Sequence, residues 1–132
     1  TKELVKKSKS NCKILSFEIN KTFLKRLNKI KHKNLIVING RAENLKKHLN
    51  LYNFKKADYI VSSLPLAASK KLERDIIKEA NNNLKENGKY IQYQYAHNGL
   101  KSLNKFKKNF KSVKVDFVPL NMPPAFVYTC KK

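Results

Sequence analysis

The chain has 132 residues, 41% of them hydrophobic, enough for one compact domain with its own core. No stretch of about 18 apolar residues occurs, which excludes a membrane-spanning helix. The net charge of +21 attracts phosphates on nucleic acid or on an anionic bilayer, yet 27 of the 30 cations are Lys. Only Arg26, Arg41 and Arg74 could offer the planar fork that reads base edges, and joint enrichment in Lys and Asn often follows an AT-rich genome. The charge is therefore permissive evidence. Cys12 and Cys130 share no metal-ligand spacing with His or with each other, so neither a metal site nor a disulfide framework is expected. That cysteine usage makes a reducing cytosol the default compartment, and the opening TKELVKKSKS lacks an initiator Met and the apolar segment of a signal peptide.

In chain order, CKILSFEI from Cys12 reads as a strand, and Asn20 can cap a helix with Phe23, Leu24, Leu27 and Ile30 at helical spacing. NLIVIN, 34–39, ended by Gly40, has the β-branched run of a central strand. Leu45 and Leu49 mark a short helix, and ADYIVSSLPL is the next strand with its exit loop. Leu72, Ile76, Ile77, Ala80 and Leu84 define one face of a longer helix that stops before Gly88. KYIQYQYA is a strand, and LKSLNKFKKNF a helix with Leu100, Leu103, Phe106 and Phe110 inward. SVKVDFVPL and AFVYTC complete the chain as two strands joined by NMPPA. Prolines cannot donate to a sheet ladder, so this joint is either a plain turn or a turn that lines a site. The order predicts an α/β sheet, mostly parallel with an antiparallel last strand, in a single domain over residues 1–132 without repeat or linker.

The N-terminal TKELVKKSKS reads as the tail of an amphipathic helix anchored by Leu4 and Val5. In a doubly wound sheet such a helix follows the first strand and a Gly-rich loop. The three glycines, Gly40, Gly88 and Gly99, do not open a helix after a strand. Either there is no cofactor loop, or the chain begins just after one. In the second case Glu18 falls about 20 residues beyond the loop, where a ribose-binding carboxylate belongs. Otherwise Glu18 is a solvated strand end.

FEIN (17–20), VSSLPL (61–66), YIQYQYA (90–96) and NMPPAFVY (121–128) occur in an order that resembles the bacterial phospholipid N-methyltransferases. These are class I enzymes that methylate phosphatidylethanolamine with S-adenosylmethionine, giving phosphatidylcholine. SSLPL and NMPPA at their separation are the most specific of the four. The resemblance runs from about Thr1 to Tyr128 and implies a Rossmann-like class I methyltransferase domain lacking its first strand and Gly-rich loop, an N-terminal truncation inactive by itself. It implies S-adenosylmethionine binding by Glu18, Ile19, Ala42, Glu43 and Ser62. It further implies acceptor positioning by Ser63, Tyr93, Tyr95 and Asn121, and a substrate wall of Leu64, Pro65 and Pro123. Where relatives carry Gly-Asp-Ala this chain has NGRAEN, 39–44, so Arg41 stands in place of the Asp that contacts adenine. Arg41 cannot accept a hydrogen bond from an exocyclic amine. Either Glu43 substitutes or adenine recognition is altered.

Methyl transfer to an amine is an in-line displacement that asks for positioning, deprotonation of the ammonium, and aromatic faces toward positive charge. Tyr93 and Tyr95, two apart on a strand, point to one face, either at the acceptor or under a flanking helix. His97 is a candidate proton acceptor or a solvated loop residue. Asn121 and the proline pair would close the acceptor side, with Met122 facing the lipid or the core. The expected partners are a phospholipid substrate and an anionic membrane surface, bound peripherally by a monomer. The rival readings are an rRNA adenine dimethyltransferase and a non-catalytic basic nucleic-acid-binding module. Against the first, Leu66 stands where an aromatic residue would stack on a flipped adenine. Against the second, the aromatic strands read as buried sheet.

Overall fold

A computed structural model describes residues 1–98 and 100–132, the side chain of Asn98 excepted; Gly99, one of the glycines weighed above, lies outside the described residues. The chain forms two compact units, Thr1–Asn44 and Leu45–Lys132. In the first unit, helix α1 (Lys2–Lys7) precedes strand β1 (Ile14–Glu18), helix α2 (Lys21–Asn28) and strand β2 (Leu35–Asn39). The Asn20 side-chain oxygen starts α2 by accepting from the main-chain nitrogens of Thr22 and Phe23 at 2.9 and 3.2 Å. The strands run parallel, from Ile14 opposite Leu35 to Glu18 opposite Asn39, with α2 as their crossover. Buried Asn34 fixes the start of β2 by donating from Nδ2 to the carbonyls of Lys9 and Ser10.

Two expectations change here. Val5 is buried but Leu4 is half-exposed, so α1 has one apolar anchor. Among the described residues β2 pairs only with β1, and Ile38 alone of its five residues is buried. A β-branched run is common to central strands and to half-covered ones, so composition could not tell them apart.

The second unit comprises α3 (Leu45–Leu51), β3 (Ala57–Ser62), α4 (Lys70–Asn83), β4 (Leu84–Tyr95), α5 (Leu103–Asn109), β5 (Ser112–Val118) and β6 (Ala125–Lys131). Its sheet has the order β3-β4-β6-β5. β3 and β4 are parallel, whereas β6 is antiparallel to both β4 and β5, so only the last strand is reversed. The α/β sheet with its reversed final strand forms as expected.

Tyr90, Phe106, Phe110 and Tyr128 form the centre of this core, with Tyr90 stacked on Phe110 at 5.8 Å and Phe106 tilted against Tyr128 at 5.0 Å. Leu49, Leu66, Ile76, Ile77, Ala80 and Leu84 fill the space around them. Leu100, expected inward, is instead exposed. Buried Glu73 of α4 accepts from Ser102 Oγ at 2.5 Å and pairs with Lys105 of α5. Gln94 Nε2 of β4 donates to the same Ser102 hydroxyl at 3.3 Å, so one polar chain ties α4, α5 and the sheet.

Gly88 is not a helix cap. Helix α4 ends at Asn83, and Leu84 already has extended backbone. Asn87 takes a φ of 62°, and a Cβ on Gly88 would lie 2.8 Å from the Lys85 carbonyl. The glycine permits a tight turn within the run of β4. No helix is long and apolar enough to cross a membrane, among the described residues.

Candidate functional site

In open α/β sheets, ligand-binding groups gather beyond the carboxyl ends of parallel strands. In the second unit that end carries the exit of β3 and the end of β4, which are in register at Ser62 and Gln92. Beyond Ser62 the chain continues through exposed Ser63, then Leu64 and Pro65, into a 3-10 turn, Leu66–Ala68. The main-chain nitrogen of Leu64 donates to Ser62 Oγ at 3.3 Å. Fully buried Gln92 holds this loop: its Nε2 donates to the carbonyls of Leu64 and Tyr93 at 3.0 and 2.7 Å. Its Oε1 accepts from the Tyr90 hydroxyl at 2.5 Å. Burial pushes the Tyr90 phenol far above its ordinary value, so it remains a donor. Sequence reasoning did not single out Gln92. The available signal was parity, since a Gln between Tyr90 and Gln94 shares their inward face.

β4 turns Tyr90, Gln92 and Gln94 inward, leaving Tyr93 and Tyr95 on the opposite face. The Tyr93 and Tyr95 rings meet edge to face at 5.4 Å, and Tyr95 is 41% exposed. Asn121 Nδ2 donates to the Tyr93 hydroxyl at 2.8 Å and to the Pro123 carbonyl at 2.5 Å. The Ala96 nitrogen donates to the Pro124 carbonyl at 2.7 Å, joining the end of β4 to the proline turn, whose Met122–Pro123 bond is cis. His97 stacks on Tyr95 at 5.8 Å and is exposed. Tyr93 is raised above the usual phenol value by desolvation, with the Asn121 hydrogen bond pulling the other way. It is therefore a neutral hydroxyl at physiological pH. The structure thus brings together Tyr93, Tyr95, Asn121 and Pro123, and connects them through Gln92 to the loop of Ser62, Ser63, Leu64 and Pro65. Met122 is 94% exposed and is no part of the core.

In the first unit, Glu18 ends β1 and its Oε1 accepts from the nitrogens of Ile19 and Asn20 at 2.9 and 2.8 Å. Ile19 is 60% exposed beside it. After β2, a 3-10 turn covers Ala42–Asn44. Arg41 donates from Nε and Nη2 to Glu43 Oε1 at 3.2 and 2.6 Å. Any further acceptor role for the Glu43 carboxylate is therefore shared with a guanidinium.

The sheet order, reversed last strand and strand-end polar groups define the Rossmann-like α/β fold of the class I, S-adenosylmethionine-dependent methyltransferases. Solved structures share it. An rRNA methylase from Streptococcus thermophilus has a TM-score of 0.63 at 17% identity, over 90% of this chain and 73% of that one. A Streptococcus mutans protein in complex with SAH has a TM-score of 0.59 at 18% identity, over 91% and 76%. In sequence, the ornithine lipid N-methyltransferase of Singulisphaera acidiphila is 25% identical over 134 residues, spanning 99% of this chain and 69% of that protein. No family model matches the chain.

Proposed function

We propose that this protein is an S-adenosylmethionine-dependent N-methyltransferase whose acceptor is the amino headgroup of a lipid, of the phosphatidylethanolamine type. The observation that carries the reading is the aromatic pair Tyr93–Tyr95 with Asn121 fixed against it, beside a strand exit held by Gln92. An ammonium and a sulfonium are both stabilised by aromatic faces, and the exposed ring of Tyr95 offers one. The likeness to an enzyme acting on an amino-bearing lipid supports the same acceptor chemistry.

The residues of the first unit fit part of the cofactor. A carboxylate at a strand end suits a ribose diol, and the Glu18 carboxylate is held there by the main-chain nitrogens of Ile19 and Asn20. Ile19 and the turn at Ala42 would flank the adenine, while Glu43 already carries Arg41. When bound, the cofactor supplies an electrophilic methyl group on sulfur. The chain's own contribution is positional. Ser63 would orient the amine, and Leu64, Pro65 and Pro123 would wall the acceptor. Tyr93 stays protonated and is no base, so the ammonium proton leaves to water or to His97.

The rRNA reading is supported by fold likeness. It is disfavoured at Leu66, which is fully buried and offers no face to a flipped base. The test is to incubate the full-length protein with methyl-labelled S-adenosylmethionine and, separately, phosphatidylethanolamine vesicles, ornithine-lipid vesicles and rRNA. Label in a lipid amine is expected; label in RNA alone overturns the assignment.

A further inference from the structure

The link between β5 and β6 presents an unusual surface. Leu120 is 97% exposed and Met122 94% exposed, two large apolar side chains on either side of Asn121. Asn121 is anchored through Tyr93 and Pro123, so the apolar pair projects from a held turn. Below it, Ala125 of β6 pairs with Val118 on one side and Tyr95 on the other. Val118 is 38% exposed and Tyr95 41%, so the apolar surface continues along this end of the sheet with a Tyr hydroxyl at its margin. Tyr is favoured where apolar and aqueous layers meet. From Asn87 to Lys132 the chain has nine Lys and one acidic residue, Asp116. An apolar tip on a cationic body is the pattern of a protein that lies on an anionic bilayer.

We infer that the β5–β6 turn inserts Leu120 and Met122 into the interfacial layer of an anionic phospholipid bilayer, placing the Tyr93–Asn121 pair at the membrane surface. The inference builds on the lipid-acceptor reading in bringing the bilayer to that site, but its test requires no turnover. Asn121 then has two tasks, since the amide that holds Tyr93 also holds the turn between its inserted neighbours.

The chain contains no Trp, so Leu120→Trp provides a single reporter at an exposed position. On phosphatidylglycerol vesicles its emission is expected to shift to the blue and to be quenched by brominated acyl chains. The double variant Leu120→Asp/Met122→Asp is expected to lose about tenfold or more in vesicle partition. Unchanged emission on vesicles overturns the inference, as does a shift on RNA with none on lipid. A shift persisting undiminished on zwitterionic vesicles overturns the requirement for anionic lipid. If lipid amines are methylated while the reporter stays in water, the acceptor assignment stands and the insertion falls. A reporter that enters the bilayer while the full-length protein labels RNA and no lipid sinks the acceptor assignment alone.

Discussion

Asn121 and Gln92 show how single amides organise this site. Asn121 spans the proline turn and Tyr93, and Gln92 spans the core phenol of Tyr90 and the Leu64 carbonyl. Replacing Gln92 by Leu leaves the buried Tyr90 hydroxyl without its acceptor, while the Leu64 carbonyl keeps the Leu66 nitrogen at 2.8 Å; the cost is about 1–3 kcal/mol, read as a lower urea midpoint. Activity should fall further than the loss of folded protein accounts for, because the β3 exit loosens. Tyr95→Ala removes an aromatic face worth about 0.5–2 kcal/mol, so kcat/KM for a lipid amine should drop about 2- to 30-fold, with Tyr95→Phe close to wild type. Equal activity of Tyr95→Ala and Tyr95→Phe would remove the ring from the acceptor site. The shared face of Tyr93 and Tyr95 was legible in their spacing. The role of Gln92 was not, because alternation assigns a face but never the partner across the sheet.

At the level of elements, the Glu73–Ser102–Gln94 chain makes α4, α5 and β4 one unit. Glu73 is buried, while the Lys105 side chain is 45% exposed. The pair is therefore asymmetric. Lys105→Met leaves a buried carboxylate without its cation and should lower the melting temperature more than Glu73→Gln, which keeps a polar partner for Ser102. The reverse order in thermal melts would show that Glu73 is readily resolvated. Helix α4 was placed correctly by Ile76, Ile77 and Ala80, but nothing in that spacing singles out Glu73 beside Leu72. Its burial depends on Ser102 and Lys105, about thirty residues away, and nothing local signals them. The turn at Gly88 was misplaced for a related reason: Gly follows many helices, and Leu84 was assigned to the helix face although it opens the strand.

Across the whole molecule, charge and buried acids set the response to solvent. Burial pushes the Cys130 thiol up to about 12, and Tyr90 and Tyr128 are also raised by desolvation. Their neutral forms are favoured in the fold, so this contribution is complete below the unfolded values and is lost as pH rises through the folded ones. Urea midpoints should decline from about pH 9 upward, first through Cys130 and then through the tyrosines. Cys130→Ala should flatten the start of that decline. With a net charge of +21, raising salt from low ionic strength should increase the melting temperature by screening self-repulsion, while weakening binding to anionic vesicles. Vesicle binding that is indifferent to salt would show that charge does not hold the protein there. The fold class was readable from the order of strands and helices, since periodicity survives without partners. The partition into two compact units was not, because no composition shift marks residue 44.

The position of β6 between β4 and β5 has a kinetic consequence. β5 bonds to no other strand among the described residues, so it cannot join the sheet until β6 is present. Antiparallel neighbours joined by a short connection meet early, on a microsecond scale, whereas β4 must be reached across a longer chain. β5 and β6 should therefore zip together first and dock on β4 as a ready-made pair. Truncating Val115 would then slow refolding, while truncating Ile91 of β4 would chiefly hasten unfolding.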